Sequence, residues 1–341
     1  MTQPRIFVTG GTGFVGAYLL RYLVKKGYTN IRALKRSTSK MDLVESIQAQ
    51  IEWVEGDILD LPFLEEVLVG IDQVYHCAAM ISFAPKEADK MLQINEGGTE
   101  NIVNTSLLLG IKKLVHLSSI AAIGREQYGK TISEETKWQT DKLNSNYAKS
   151  KYAAEMQVWR GIAEGLNAAI INPSVILGSG FWNSGSTEIF NLYGKGFPFY
   201  SDGSNGFVDV RDVAKLSILL MESDITAERF LVSGENLSFQ KVFNLISAKA
   251  GVKAPYLKIN AFLTGIGWRV VAVLSKITGK APSITKETVQ SALGQHHYEN
   301  QKSVTAFNYT YTPIEQTINE TVAQFLEAQK EGGKAKVLPL N

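Results

Sequence analysis

Tyr147-Ala148-Lys149-Ser150-Lys151 sets a phenol and an ammonium four residues apart. On a helix that spacing puts both side chains on one face, one turn apart. A phenol with a pKa of about 10 is a poor acid or base at neutral pH. A positive charge beside it favours the phenolate and brings the value down. A tyrosine tuned in this way can pass a proton to or from an oxygen on another molecule. Ser118-Ser119 closes an apolar run over 113–118, and a hydroxyl there can hydrogen-bond the same oxygen. Such a serine is also an ordinary turn former. Tyr-x-x-x-Lys means little in isolation, so the elements around it decide.

The deciding element lies near residue 10. Val8-Thr9-Gly10-Gly11-Thr12-Gly13-Phe14-Val15-Gly16 follows an apolar run and precedes the apolar-periodic Tyr18, Leu19, Leu20, Tyr22, Leu23 and Val24. That order reads as strand, glycine turn and helix. Gly10, Gly13 and Gly16 permit, in that order, a tight turn, close approach of backbone to a pyrophosphate, and close helix–strand packing. Phosphates would lie at the helix N-terminus, against the backbone around Thr12, Phe14 and Val15. A glycine-rich loop that holds nothing is the plainer alternative. The strand before and the helix after favour dinucleotide binding.

Sites that prefer NAD place an acid about 20 residues beyond the turn. Here that count reaches Arg36, with Lys35 beside it. Two cations suit a ribose 2′-phosphate, so NADP(H) is expected ahead of NAD(H); a solvated basic loop is the alternative. Asp57 could accept from an adenine amino group with Ile58 against the ring, or cap the next turn. His76-Cys77-Ala78-Ala79 ends a strand with Ala78 and Ala79, small enough for a ribose to approach. Asn95 could fix a water or backbone group that relays protons to Lys151, or be a satisfied helix-face amide. The positive nicotinamide of an oxidised cofactor would lower the Tyr147 pKa further.

Stepping along the chain, strands are expected at 5–9, 30–35, 51–55, 73–78, 113–118 and 168–173, and helices at 15–26, 62–69, 88–109 and 147–163. This alternation implies βαβ units and a doubly wound parallel sheet of Rossmann type. The regularity stops after Pro173. A smaller, partly discontinuous C-terminal substrate lobe is expected from 174–206 and 235–330. The Rossmann domain then spans 1–173, with returning segments near 207–234, and 331–341 is a polar tail expected to fray. A strand at 229–232 and a helix at 238–250 are expected, as is a helix after Asp209-Val210-Arg211-Asp212. Asp209 or Asp212 would cap that helix, and Arg211 could face a pocket. Phe83, Phe181, Trp182, Phe197, Phe199, Tyr200 and Phe207 could line an apolar pocket or belong to the core.

Composition narrows the function classes. The 341 residues are 45% hydrophobic and 20% charged, with a net charge of +2, ordinary for a globular protein and no argument for nucleic acid or an anionic membrane. Cys77 is the single cysteine, so no intrachain disulfide forms, and with no signal peptide read a reducing cytoplasm is expected. Two apolar stretches, 165–187 and 259–277, are interrupted and fall short of the roughly 20 apolar residues of a spanning helix. The second could be amphipathic, leaving peripheral lipid contact open. His76 and His116 read as core histidines, and His296-His297 lack partners at metal-ligand spacing, so no metal is expected.

Together these residues resemble the extended branch of the short-chain dehydrogenase/reductase superfamily, the NAD-dependent epimerase/dehydratase type. The match runs from residue 5 to about 235, and more loosely to about 325. It implies that Ser119, Tyr147 and Lys151 form the catalytic core with Tyr147 as acid/base, that Asn95 belongs to the same site, and that Pro173, Ser174 and Val175 border the cofactor. Ser119 is preferred to Ser118 because Gly124, five residues on, matches the family's glycine; a slip of one is open. Asn172-Pro173-Ser174-Val175-Ile176-Leu177-Gly178 looks more like dihydroflavonol reductases, cinnamoyl-CoA reductases and 3β-hydroxysteroid dehydrogenases than like the Asn-x-Tyr-Gly-Pro of nucleotide-sugar epimerases. Ser119-Ile120-Ala121-Ala122 lacks the acidic pair of sugar 4,6-dehydratases, and Arg36 matches the NADP arginine of the dihydroflavonol reductase group. The C-terminal third departs from all of these. The expectation is an NADP(H)-dependent oxidoreductase interconverting a carbonyl and an alcohol on a small apolar or aromatic substrate. A nucleotide-sugar epimerase that retains its cofactor and a non-catalytic dinucleotide-sensing regulator are the alternatives. The family also implies a homodimer through the helices at 88–109 and 147–163.

Overall fold

The computed structural model describes residues 3–124, 131–141, 144–259 and 293–341. Seven strands build the centre: β1 (Ile6–Thr9), β2 (Ile31–Lys35), β3 (Glu52–Glu55), β4 (Gln73–His76), β5 (Lys113–Leu117), β7 (Ala168–Pro173) and β11 (Arg229–Val232). They lie in the order β11-β7-β5-β4-β1-β2-β3, every neighbouring pair parallel. The winding reverses between β1 and β4, and open sheets of this kind receive ligands at the carboxyl ends of the strands there.

Period-two alternation along buried strands divides the core. Ile6, Val8, Tyr75, Val115, Ala169 and Ile171 face one side, with α1 (Phe14–Lys25) and α7 (Val210–Glu222) over them. Phe7, Val74, Leu114, Ala168 and Ile170 face the other, under α2 (Leu61–Val67), α4 (Gly98–Leu108) and α5 (Asn146–Ala163). Both faces are covered, so the strands are apolar throughout. A fully buried side chain such as Phe7 contributes about 2 kcal/mol.

A second core lies beyond β7. The strands β8 (Val175–Leu177), β10 (Ser204–Asp209) and β12 (Glu235–Ser238) form a small sheet. It packs with α6 (Glu188–Tyr193), α8 (Phe239–Ala250) and α10 (Ile314–Lys330) through Leu177, Phe190, Phe207, Phe243, Ile318 and Phe325. Two short pairs complete the lobe: β9 (Phe199–Tyr200) with β13 (Leu257–Lys258), and β6 (Thr131–Ile132) with β14 (His297–Tyr298). The helix α9 (Gln301–Phe307) returns to β11, where Phe307 meets Phe230 with ring centroids 5.1 Å apart. Among the described residues no helix is long and apolar enough to cross a membrane. Most of the amphipathic stretch read at 259–277 lies outside the described residues.

Four expectations change. The helix over 88–109 is three pieces: α3 (Ala88–Leu92), a π turn at Gln93–Gly97, and α4. The tail does not fray. Leu338 is buried, its N–H donates to Tyr18 Oη (2.6 Å), and Gln324 and Arg211 donate to the carbonyls of Val337 and Pro339. Arg211 faces no pocket, because it is buried between Asp209 (2.7 Å) and Glu320 (2.6 Å). Asp209 is the helix cap, accepting from Arg211 N, while Asp212 accepts from Tyr309 and Thr312. Trp182 and Phe207 belong to the lobe core rather than to a pocket.

Candidate active site

The glycine turn sits at the carboxyl end of β1. Gly10 has φ +68°, a left-handed conformation that side chains resist, and a Cβ there would come within 2.7 Å of Ala78 N. A Cβ on Gly16 would overlap Gly10 O, so the third glycine lets α1 pack against the turn. Gly13 is the N-cap of α1; it offers no side-chain bond, and the first turn holds no acid. The N-terminal N–H groups and the positive helix end are thereby left for an anion. That arrangement fits a dinucleotide pyrophosphate, with Ala78 brought against the turn.

At the carboxyl end of β2, Lys35 Nζ is paired with Glu55 at 2.6 Å, while Arg36 is exposed and its backbone N–H donates to Ser39 Oγ (2.9 Å). Asp57 Oδ1 accepts from Leu59 N at 3.0 Å, while Asp60 is the N-cap of α2, accepting from Phe63 N. Ile58 is turned into the core against Gly98, with Asn101 donating to its carbonyl.

A directed chain of hydrogen bonds ties the turn to the interior. Ala78 N donates to Thr9 Oγ1 (3.1 Å), which pairs with His76 Nδ1 (2.8 Å). His76 Nε2 pairs with Thr99 Oγ1 (3.0 Å), which donates to Asn95 O (2.6 Å). Those bonds place the His76 proton on Nε2, and burial pushes its pKa down to about 3. The Asn95 carbonyl is therefore taken by Thr99 inside the π turn, a distortion that often marks functional positions. Its side chain clamps the backbone of Met80 through both atoms and donates to Ser150 Oγ (2.9 Å). The backbone group it fixes is thus Met80, and its side chain reaches the residue next to Lys151.

The remaining groups converge at the ends of β5 and α5. Ser145 caps α5, accepting from Ala148 N at 3.0 Å, and this sets the first turn carrying Tyr147. The Tyr147 hydroxyl hydrogen-bonds Ser119; burial raises its pKa and that bond pulls it back. Ser119 Oγ also accepts from Ala121 N (3.1 Å), leaving its proton for Tyr147. Lys151 is buried and donates to Leu117 O at 2.9 Å. Burial pushes its pKa down to about 8, with Glu155 opposing the shift. Cys77 is pushed up to about 12 by burial. Phe83 meets the Tyr147 ring edge-on at 5.9 Å. Trp138 stacks on Tyr152 at 4.3 Å, and Gly124 has no Cβ because the Lys137 carbonyl occupies that space. Ser174 is buried, its N–H on Val232 O (2.9 Å), and Val175 opens β8.

Ser119 and Tyr147 are brought into contact, with Lys151 one turn along the same helix. Of the aromatic candidates, Phe83 stands at Tyr147, Phe197 packs on Tyr193 and Phe199, and Phe181 faces the Lys40 ammonium. Sequence reasoning missed Glu155, Asn172 and Arg229. The available signal was a glutamate four residues after Lys151, on the helix face that packs inward.

Known proteins resemble the chain over most of its length. Residues 6–233 match the family model described as NAD dependent epimerase/dehydratase family. A Synechocystis protein provisionally named dihydroflavonol 4-reductase is 31% identical, covering 94% of each chain. Petunia hybrida cinnamoyl-CoA reductase 1 is 25% identical over 94% of this chain and 92% of its own. The crystal structure of gox2253 superposes with a TM-score of 0.81 at 28% identity, covering 98% of this chain and all of that one. Thermotoga maritima UDP-glucose 4-epimerase shares the fold, with a TM-score of 0.77 at 20% identity over 95% of this chain and 99% of its own.

Proposed function

The chain belongs to the NAD dependent epimerase/dehydratase family and is an NAD(P)-dependent oxidoreductase; from that premise we propose that it interconverts a carbonyl and an alcohol on a small apolar or aromatic substrate, using NADP(H). The observation that carries this reading is the Tyr147 hydroxyl bonded to Ser119, one turn from the buried Lys151 ammonium. The nicotinamide, when bound, supplies or accepts the hydride. In the reducing direction Tyr147 gives its proton to the substrate oxygen, and the Ser119 hydroxyl turns its one proton from Tyr147 to that oxygen. Lys151 favours the resulting phenolate by its charge and is placed to bind a ribose.

The glycine turn and uncapped α1 hold the pyrophosphate, and Ala78 and Ala79 leave room for a ribose. Pro173, Ser174 and Val175 border the nicotinamide. Arg36 carries the preference for a 2′-phosphate, since Lys35 is engaged by Glu55. Phe83, edge-on to Tyr147, supplies an apolar wall where the substrate must sit.

The test is oxidation of NADPH and NADH by the purified protein over aromatic aldehydes, ketones, acyl thioesters and ketosteroids. Turnover with at least one class, faster with NADPH, is expected. Tight NADPH binding with no turnover on any class would overturn the reading.

A further inference from the structure

Glu155 lies one helical turn beyond Lys151 on α5 and is fully buried. A carboxylate taken out of water is costly unless hydrogen bonds replace its hydration, and an apolar residue in its place is often no less stable. Its presence therefore asks for a role beyond packing. Four donors surround it. Oε2 accepts from Ser118 Oγ (2.6 Å) and Asn172 Nδ2 (2.7 Å), and Oε1 from Trp159 Nε1 and Arg229 Nη1, each at 3.2 Å. Three of them come from different strands at their carboxyl ends or along the sheet edge, and one from α5 itself.

Two relations aim this carboxylate at the reacting groups. Asn172 Nδ2, held by Glu155, also donates to the backbone carbonyl of Ser119 at 3.0 Å. Ser119 in turn bonds Tyr147, so the carboxylate is three contacts from the phenol. The second relation is electrostatic. Lys151 is met by Glu155 from α5, by His76 and Cys77 from the end of β4, and by His116 and the Leu117 carbonyl from β5, and Tyr147 lies one turn before it on α5. Burial keeps both histidines uncharged and the Cys77 thiol protonated at neutral pH. Among these groups Glu155 is the carboxylate, and Arg229 is the cation that partly neutralises it.

We propose that Glu155 is a positioning residue for the Ser119–Tyr147–Lys151 site: it fixes Ser119 through Asn172 and keeps Lys151 in its ammonium form. The inference rests on the proposed function for its catalytic meaning, but the charge relation is independent of turnover. A lysine buried without a nearby anion loses its proton more readily, and a neutral amine would no longer favour the phenolate. The two relations serve one end, an ordered donor at Ser119 and a charged group beneath Tyr147.

The test is the titration of Lys151 in the full chain carrying 13C at lysine Cε, read by NMR, with the Lys151 signal identified by its loss in Lys151→Arg. The native midpoint is expected near 8. Glu155→Gln should lower it by about one unit, and Arg229→Met, which frees the carboxylate from its cation, should raise it. Ser118→Ala removes a bond but no charge and should leave it in place. A Glu155→Gln midpoint equal to the native one overturns the proposal. Should that variant not fold, an unmoved or lowered midpoint in Arg229→Met overturns it instead. NADPH oxidation by Tyr147→Phe separates the two readings. An active Tyr147→Phe removes the proposed function, whereas an inactive one with an unmoved Lys151 titration removes only the role of Glu155.

Discussion

Two stretches of the carboxyl edge of the sheet are built on different physics. At the β2 end, Lys35, Glu55 and Arg36 are at least partly exposed, and charges there act through water, where an ion pair contributes about 1 kcal/mol or less. At the β5 end, Lys151, Asn95 and Glu155 are enclosed and Tyr147 is half-buried, with polar atoms engaged by named partners. Burial there makes each hydrogen bond expensive to lose and each charge sensitive to its neighbours. The exposed end can tune which dinucleotide is preferred in small steps. The enclosed end tolerates little change.

That contrast orders the expected effects of substitution. The largest belongs to Tyr147→Phe, which should lower kcat by about 10²–10⁴ while leaving the NADPH dissociation constant nearly unchanged, as measured by steady-state rates and fluorescence titration. Gly16→Ala comes next. Its methyl group would overlap the Gly10 carbonyl, so thermal or urea unfolding should show a loss of about 2 kcal/mol, with weakened cofactor binding.

The neighbouring His76 and His116, in register across β4 and β5, sharpen the comparison inside the enclosed region. His76 has two partners, whereas His116 has none among the described residues. His76→Leu should cost about 2 kcal/mol, because Thr9 and Thr99 lose their bonds; His116→Leu should cost under about 1. Both histidines have pKa values depressed by burial. Below about 6.5 the unfolded chain binds a proton that the folded imidazole refuses, for His76 until about 3. Stability is therefore lost as the pH falls through that window, by about 1.4 kcal/mol per unit per histidine. Urea unfolding at pH 7 and pH 5 should show this loss, and either leucine variant should flatten it. An equal pH dependence in the variants would contradict the assignment of neutral, buried imidazoles.

The smallest effects belong to the exposed end. Arg36→Ala should weaken NADPH binding about tenfold relative to NADH, and Lys35→Ala by less, since Lys35 already serves Glu55. Both losses should shrink at high salt. An Arg36→Ala protein with unchanged NADPH preference would move cofactor selection elsewhere along that edge.

The same contrast explains what could be read from the chain alone. Strands such as Ile6-Phe7-Val8 announce themselves because both faces are buried, and the glycine turn because each glycine answers a local demand of the backbone. Tyr147 and Lys151 were legible because their relation is a helical spacing. Glu155 was not, since three of its four partners lie at 118, 172 and 229, and nothing in the local pattern reveals that the sheet brings them together. The π turn at Gln93–Gly97 was hidden because the segment keeps a helical pattern on either side; what breaks it is the reach of Asn95 to Met80. The tail looked frayed from Lys330-Glu331-Gly332-Gly333-Lys334, yet Leu338 and its neighbours find an apolar seat beside Tyr18. Aromatic character leaves Trp182 and Phe207 open between a pocket wall and a core, and only the packing of the lobe decides for the core.

Transfer of the hydrogen at the cofactor's C4 tests the central claim most directly. With NADPH deuterated at C4 and a substrate from the reactive class, the account predicts one deuterium on the alcohol carbon per NADPH consumed, and none with Tyr147→Phe. Deuterium that stays with a retained cofactor while the substrate is altered without net reduction would contradict it, and would make the site that of an epimerase.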